Sequence, residues 1–375
     1  MHFSKGFPHC MHSANSSSFF KLTVLEQNVI NAFYTSYRIK LKTSSFLRNM
    51  KLKVLLTRKL HDFAIKKLKK RYDVEINYGK IPMPKKELIS KIRDKDGLIC
   101  FPYDTINHEV IDAAKNLKAI STFSVGYDQI DIKYANKKRI VVSYTPEILT
   151  RATADLTMAL MLALLRRVVE GDRTIRNNKW KVIFGAYDFL GTDLYGKTLG
   201  IFGMGRIGKA VAKRAKGFEM NVVYHNRNKL SNGEEKTLGI KYATLDYLLK
   251  SSDVVSIHTP YTKDTHNLIN LKLLSKMKRT AFLVNTARGK IINEKDLVLA
   301  LKKKFIAGAA LDVYQNEPIN KNHPLAKMDN VVVTPHIGSS TNETRKTMAE
   351  ITVQNLILSL SGKRPIYAVN LDSKK

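Results

Sequence analysis

Cysteine is nearly absent from this chain: its 375 residues hold two, Cys10 and Cys100. That excludes a disulfide framework and any Cys-x-x-Cys metal set, so no metal site is expected and a reducing compartment fits best. Acidic residues are scarce as well, 32 against 64 lysines and arginines, for a formal charge of +32. No zinc-finger spacing, recognition motif or aromatic-basic stripe accompanies that excess, so a specific nucleic-acid function is not expected. The lysines run in short tracts along most of the chain, as on a solvated surface, and their field would draw anionic substrates. Long apolar runs are missing too. The best, Leu156 to Leu165, falls short of the roughly 18 residues a bilayer span needs, so no membrane partner is expected.

What is present is an ordinary globular composition, 44% hydrophobic, with length for two domains. Residues 1–49 differ from the rest: rich in serine and aromatics, they carry six basic residues and one acid, Glu26, with no sustained period. They read as an extension upstream of a natural start at Met50, disordered or not native. A cytoplasmic protein follows; only a genuine transit peptide in 1–49 would point to mitochondria instead.

From Met50 onward, strand and helix patterns alternate. KLKVLLTR, DGLICF, KAISTF and IVVSY read as strands, with helical stretches such as HDFAIKKLKKRY and HEVIDAAKNL between them. Then comes TADLTMALMLALLRR, a helix apolar on nearly all sides, which calls for cover on two faces and suggests a homodimer through residues 153–167. A second series starts at KTLGIFGMGRIG and continues through NVVYHNR, DVVSIHTP, TAFLVNTAR, AGAALDV and NVVVTPH. Alternation of this kind predicts parallel sheets flanked by helices, with ligands beyond the carboxyl ends of the strands.

At the head of the second series, Gly203-Met204-Gly205-Arg206-Ile207-Gly208 is a GxGxxG placed between a strand and a helix. Gly203 would permit a tight turn, Gly205 close approach of a pyrophosphate, and Gly208 close helix–strand packing; Arg206 and Ile207 open the helix whose free N–H groups face the phosphates. An NAD site should carry Asp or Glu at the end of the next strand to bind the ribose 2′-OH. Here that position is Asn226, followed by Arg227 and Asn228. An amide does not repel a 2′-phosphate and Arg227 would pair with it, which favours NADPH over NADH.

Three further strand ends carry what ketoacid reduction needs: Arg288 after TAFLVNTA, Glu317 after AGAALDVYQN, and His336 after NVVVTP. A single such residue is usually a surface charge or a structural histidine. Three at the rim of one dinucleotide fold form a coherent constellation.

From Leu52 to Val369 the chain resembles the D-isomer-specific 2-hydroxyacid dehydrogenase family, through SVGYDQID, GMGRIG, NTARGKIINEKDL, ALDVYQNEP and TPHIGSST in order. TPEILTRATADLTMALMLALLRR, DLYGKTLGIFGMGRIG and YHNR are most similar to its glyoxylate/hydroxypyruvate reductase branch. The resemblance implies two Rossmann-like, doubly wound parallel-sheet domains, with a coenzyme domain (150–338) inserted in a flavodoxin-like substrate domain (50–149 plus 339–375). It implies a small 2-oxo acid, glyoxylate or hydroxypyruvate, as substrate. Arg288 would grip its carboxylate and keto oxygen, the backbone at Val125 and Gly126 would bind the carboxylate, and His336 would donate the proton. Glu317 would stabilise the imidazolium and keep an acid available near neutrality. Asp312 would orient the nicotinamide carboxamide, while Thr259, Pro260, Thr286, Ala287, Ile337 and Gly338 would line the cofactor.

In mammalian members of that branch a tryptophan-rich loop reaches the neighbouring subunit's active site. The corresponding NNKWKVIFGAYDF keeps Trp180, as a packing anchor or as that reaching residue, and has Ile183 where a second tryptophan would align. Other readings stay open: a different 2-oxo acid of the same family (2-ketogluconate, pyruvate with D-lactate as product, phenylpyruvate, phosphoglycerate), a dinucleotide-sensing binding protein on the same fold, or a nucleic-acid binder.

Overall fold

The computed structural model describes residues 51–80 and 82–371; the expectation for residues 1–49 lies outside them. The described chain builds two parallel sheets. The first has five strands, β1 (Lys53–Leu56), β2 (Asp73–Ile76), β3 (Gly97–Cys100), β4 (Ala119–Thr122) and β5 (Val141–Ser143), in the order β2-β1-β3-β4-β5. That is the flavodoxin-like order. The second has seven, β6 (Thr198–Phe202), β7 (Asn221–His225), β8 (Lys241–Tyr242), β9 (Val254–Ile257), β10 (Phe282–Asn285), β11 (Gly308–Leu311) and β12 (Val331–Val333), in the order β12-β11-β10-β9-β6-β7-β8. Counted within the sheet this is the 3-2-1-4-5-6 Rossmann order with one more strand beyond the sixth. All pairings within both sheets are parallel.

Strands covered on both faces read as unbroken apolar runs, and GLIC, AIST, VVSI and GAAL are buried at every position. Alternate residues then feed opposite faces. Val255, Leu283 and Ala309 enter one core of the large sheet, and Val254, Val284 and Ala310 the other. In the small sheet Val54, Leu56 and Ile99 face one core, and Leu55, Leu98 and Ile120 the other. The edge strands β2 and β8 escape this pattern. DVEI is only partly covered and KY is exposed, so neither shows as an apolar run in the sequence.

The helices are α1 (Asp62–Lys69), α2 (Lys85–Ile92), α3 (His108–Ala113), α4 (Ile132–Lys137), α5 (Thr150–Leu165), α6 (Val168–Arg176), α7 (Arg206–Gly217), α8 (Asn232–Leu238), α9 (Leu245–Ser251), α10 (Leu271–Leu274), α11 (Glu294–Lys302) and α12 (Asn342–Leu360). The HEVIDAAKNL stretch is helical only through Ala113, because Ala114 turns to ψ 74°. α12 starts where Thr341 caps the Thr344 N–H and returns the chain to the small sheet, where Met348, Val353 and Leu356 are buried against Val54 and Leu56.

The expectation of two covered faces on α5 is met mostly within the chain itself. Thr153, Ala154, Thr157, Met158, Leu160, Met161, Leu164 and Leu165 are all buried against the large sheet and α7. The apolar surface left open lies downstream. α6 buries no residue, and Val168, Ile175, Ile183, Tyr187 and Leu190 are exposed. Trp180 is half exposed and is no core anchor; its ring meets Phe184, which stacks on Phe189, which in turn carries Arg167 at 4.2 Å. Ile183 is 91% exposed. Among the described residues no helix is long and apolar enough to cross a membrane.

Candidate active site

A cleft of about 1260 Å³ lies where the carboxyl ends of both sheets meet. Its walls come from the residues after β1, β3 and β4 on one side and after β6, β9, β10, β11 and β12 on the other. Among the described residues no group of three or more His, Cys, Asp or Glu side chains could hold a metal ion.

The glycine loop behaves as three separate devices. Gly203 has φ 105°, and a Cβ there would sit 2.5 Å from the His258 and Thr259 backbone. At Gly208 a Cβ would meet the Gly203 carbonyl at 2.3 Å, so the helix α7 presses directly on the turn. Gly205 is the opposite case: a Cβ would meet nothing within 4 Å, and the residue lines the cleft with Arg206 and Ile207. Open space over a backbone at a helix N-terminus is what a bound pyrophosphate requires, so the residues present fit a dinucleotide.

Asn226 does not line the cleft. Its Oδ1 accepts from the Met204 N–H at 2.7 Å, which fixes the loop and leaves the amide N–H₂ as its remaining polar group. Arg227 and Asn228 are exposed and also lie off the cleft wall. Thr259, Pro260, Thr286, Ala287, Asp312, Ile337 and Gly338 all line it.

On the opposite wall Arg288 lies against Gly126 so closely that a Cβ on Gly126 would fall 1.7 Å from Nη2. Only glycine leaves the guanidinium in place beside the Val125–Gly126 backbone. Arg288 Nε donates to Asp128 at 3.2 Å and Nη1 to the Ala287 carbonyl at 2.8 Å. The turn that carries Arg288 is clamped by the fully buried Asn285, which accepts from the Ala287 N–H and donates to the Arg288 carbonyl, both at 3.0 Å.

Of the three histidines that line the cleft, His258 and His336 follow strands of the large sheet, and their surroundings differ. His258 is partly covered, with Nε2 2.8 Å from Ser256 Oγ, and burial pulls it down to about 3. It is neutral at any working pH and cannot serve as an acid near neutrality. His336 instead has Nδ1 2.7 Å from Glu317 Oε2, while Glu317 Oε1 accepts from the Tyr314 N–H at 2.9 Å. With Nδ1 so engaged, Nε2 is the nitrogen left for the cleft. His336 has φ 54°, a conformation that costs a non-glycine residue about 1–2 kcal/mol. Asp312 holds the strained loop: it accepts from Thr334 Oγ1 at 2.7 Å and from the Ile337 and Gly338 N–H groups at 2.8 Å each. Thr153 ties α5 to the same loop through the Gly338 carbonyl at 3.0 Å.

Glu317 stands behind His336, facing a second cavity of about 450 Å³ rather than the main cleft. Tyr103 separates the two, its ring edge-on to His336 at 5.6 Å. Burial, and then the Glu317 carboxylate, push its phenol up to about 12, so it stays neutral. Sequence reading passed over Tyr103, Asp128, Asn285, Thr153 and His258. Tyr103 and His258 follow apolar strands and Asn285 ends one, so the strand-end rule reaches all three; Thr153 acts on a loop distant in sequence and carries no local signal.

The family model for "D-isomer specific 2-hydroxyacid dehydrogenase, NAD binding domain" matches residues 158–338. The glyoxylate reductase of Thermofilum pendens is 47% identical over 324 residues, 86% of this chain and 96% of the relative. That of Korarchaeum cryptofilum is 45% identical over 87% of this chain and 98% of the relative. Among solved structures, a protein of Thermus thermophilus superposes with a TM-score of 0.79 at 46% identity, covering 85% of this chain and 100% of that one. An NADPH-dependent glyoxylate/hydroxypyruvate reductase of Sinorhizobium meliloti, solved with NADP and malonate, gives 0.75 at 30% identity, covering 85% and 97%. The small and large sheets, the open glycine loop and the Arg288 and His336–Glu317 walls thus belong to an NAD(P)-dependent enzyme of the D-isomer-specific 2-hydroxyacid dehydrogenase family, in its glyoxylate reductase branch.

Proposed function

We propose that this enzyme reduces glyoxylate or hydroxypyruvate to the 2-hydroxy acid with NADPH, His336 acting as general acid. The observation that carries the reading is His336, backed by Glu317 at 2.7 Å, lining the same cleft as Arg288, which is seated on Gly126. NADPH, when bound over Gly205, supplies the hydride. Arg288 holds the substrate carboxylate and polarises the keto oxygen, with the Val125 and Gly126 N–H groups as further donors. His336 Nε2 gives its proton to the keto oxygen as negative charge develops there, and Glu317 stabilises the imidazolium through Nδ1. Asp312 keeps the His336 loop in register and would orient the nicotinamide carboxamide; Thr259, Pro260, Thr286, Ala287, Ile337 and Gly338 would hold the cofactor along the cleft wall.

Support for NADPH over NADH is Asn226, whose oxygen is engaged by Met204 so that its remaining polar group is a donor, beside the exposed Arg227 and Asn228. We assign residues 50–149 and 339–375 to a substrate domain and 150–338 to a coenzyme domain, following the two sheets. A homodimer is the natural cover for the exposed apolar residues of 168–195 next to α5, with Trp180 at its rim. A cytoplasmic setting agrees with two cysteines in the chain, the described one, Cys100, free and buried.

The test is a panel of initial rates with glyoxylate, hydroxypyruvate, pyruvate, 2-ketogluconate and phenylpyruvate, each with NADPH and NADH. The two small acids with NADPH should lead. Activity confined to NADH overturns the cofactor assignment, and binding of dinucleotide without turnover of any acid favours a sensing protein.

A further inference from the structure

The end of the cleft away from the glycine loop carries two guanidinium groups that the mechanism does not use. Arg58 follows β1 and Arg345 sits on α12, and both line the cleft wall. Arg345 donates to Ser340 Oγ at 3.0 Å and lies 5.4 Å over the ring of the buried Phe123. Among the described residues neither arginine is in an ion pair.

The carboxylates within their field are already engaged. Asp104, near Arg58, accepts from the Thr57 hydroxyl and from the Phe101 N–H at 2.8 Å. Asp312, near Arg345, is held by Thr334, Ile337 and Gly338. The neighbouring Lys59 is matched by Asp62 at 2.9 Å, which leaves the two arginines as the uncompensated charges of this end. Burial and the like charge of Arg58 both pull Arg345 downward, so its guanidinium is held in surroundings that disfavour charge without a counter-ion.

Tyr103 links this end to the chemistry. Its ring meets His336, and its hydroxyl lies in the fields of Glu317 and Arg345 alike. Arg345 therefore stands one aromatic side chain from the His336 imidazole, in the same cleft. Phe123 and Met348 floor the space between and offer no acidic group.

We propose that Arg58 and Arg345 form a second anion subsite that takes the distal carboxylate or phosphate of an extended 2-oxo acid. This rests on the 2-oxo acid reduction proposed above. It adds dianionic 2-oxo acids to the substrate class, with Arg288 on the C1 carboxylate and the arginine pair on the far anion.

The experiment compares kcat/KM for 2-oxosuccinate, 2-oxoglutarate and 3-phosphooxy-2-oxopropanoate with that for 2-oxobutanoate and 2-oxopentanoate, whose tails are uncharged. The wild-type enzyme should favour at least one dianion by tenfold or more, and which one leads tells carboxylate from phosphate. Raising the salt should erode that preference. Arg345→Gln and Arg58→Gln should each lower the dianion-to-uncharged ratio at least tenfold, and Arg345→Lys should restore part of it. A purely structural strut would depress both substrates together and leave the ratio unmoved, which overturns the subsite. No dianion preference in the wild type overturns it as well, even if Arg345→Gln fails to fold. If glyoxylate is reduced but dianions are not favoured, only the subsite falls; if no 2-oxo acid is turned over, the reductase reading falls and takes the subsite with it.

Discussion

The two sheets meet at one cleft but equip it differently. The large sheet brings residues whose value is conformational: a glycine turn at φ 105°, a histidine at φ 54°, and a clamp of Asn285 and Asp312 that holds both Arg288 and His336 in place. The small sheet brings surface: the Val125–Gly126 backbone, the buried Phe123, and Tyr103 and Arg58 facing the cleft. In the proposed mechanism chemistry is thus fixed on one side by a dense hydrogen-bond network, and recognition is spread on the other over side chains that can be exchanged singly. The lesson is that changes on the large-sheet side should damage turnover, while changes on the small-sheet side should alter which acid is taken.

The largest effect should come from His336→Ala, which removes the proposed proton donor. Turnover should fall about 10²–10⁴-fold, while dinucleotide affinity, measured by nicotinamide fluorescence, should change far less. Arg288→Lys should come next, with kcat/KM down about 10²-fold or more, because an ammonium lacks the planar fork. Gly126→Ala belongs to the same class although it lies on the small-sheet side, since its Cβ would displace Arg288. Rates that stay near wild type for Gly126→Ala would break the claim that the guanidinium is seated there.

Smaller effects sharpen the contrast. Gly205→Ala meets no atom within 4 Å, so its melting temperature should match the wild type while dinucleotide affinity falls. A comparable loss of stability would mean that the open space does not belong to the cofactor. His258→Gln should leave the pH profile of kcat/KM in place, because His258 is neutral throughout the working range. The same group couples to stability with a definite sign. Its folded value of about 3 lies below the ordinary 6.5, so the stability it contributes is complete above pH 6.5 and is lost as pH falls toward 3. Thermal melts at pH 7 and pH 5 should therefore show a smaller drop for His258→Gln than for the wild type.

Much of the fold was legible because buried parallel strands are apolar at consecutive positions and end in polar turns. GLIC, AIST, VVSI and FLVN announce themselves, and the family resemblance read from five motifs agrees with the matched family and relatives. β2 and β8 did not, since edge strands need not be apolar on both faces. In the site, Arg288, Glu317 and His336 stood at strand ends and could be named from order alone. Asn285, which ends β10, was within reach of the same rule. The other residues around them were not: Thr153 reaches Gly338 over 185 residues, and Arg345 becomes relevant only when α12 returns to meet β4. The outward face expected on α5 proved to be largely used within the chain, and the open apolar surface begins just after it.

The most direct test of the central claim is single-turnover reduction of glyoxylate by His336→Ala and Glu317→Gln beside the wild type, with NADPH affinity measured on the same samples. The predicted result is a hydride-transfer rate lowered about 10²–10⁴-fold in His336→Ala and less in Glu317→Gln, with NADPH bound nearly as well in all three. Transfer at the wild-type rate in His336→Ala would contradict the account.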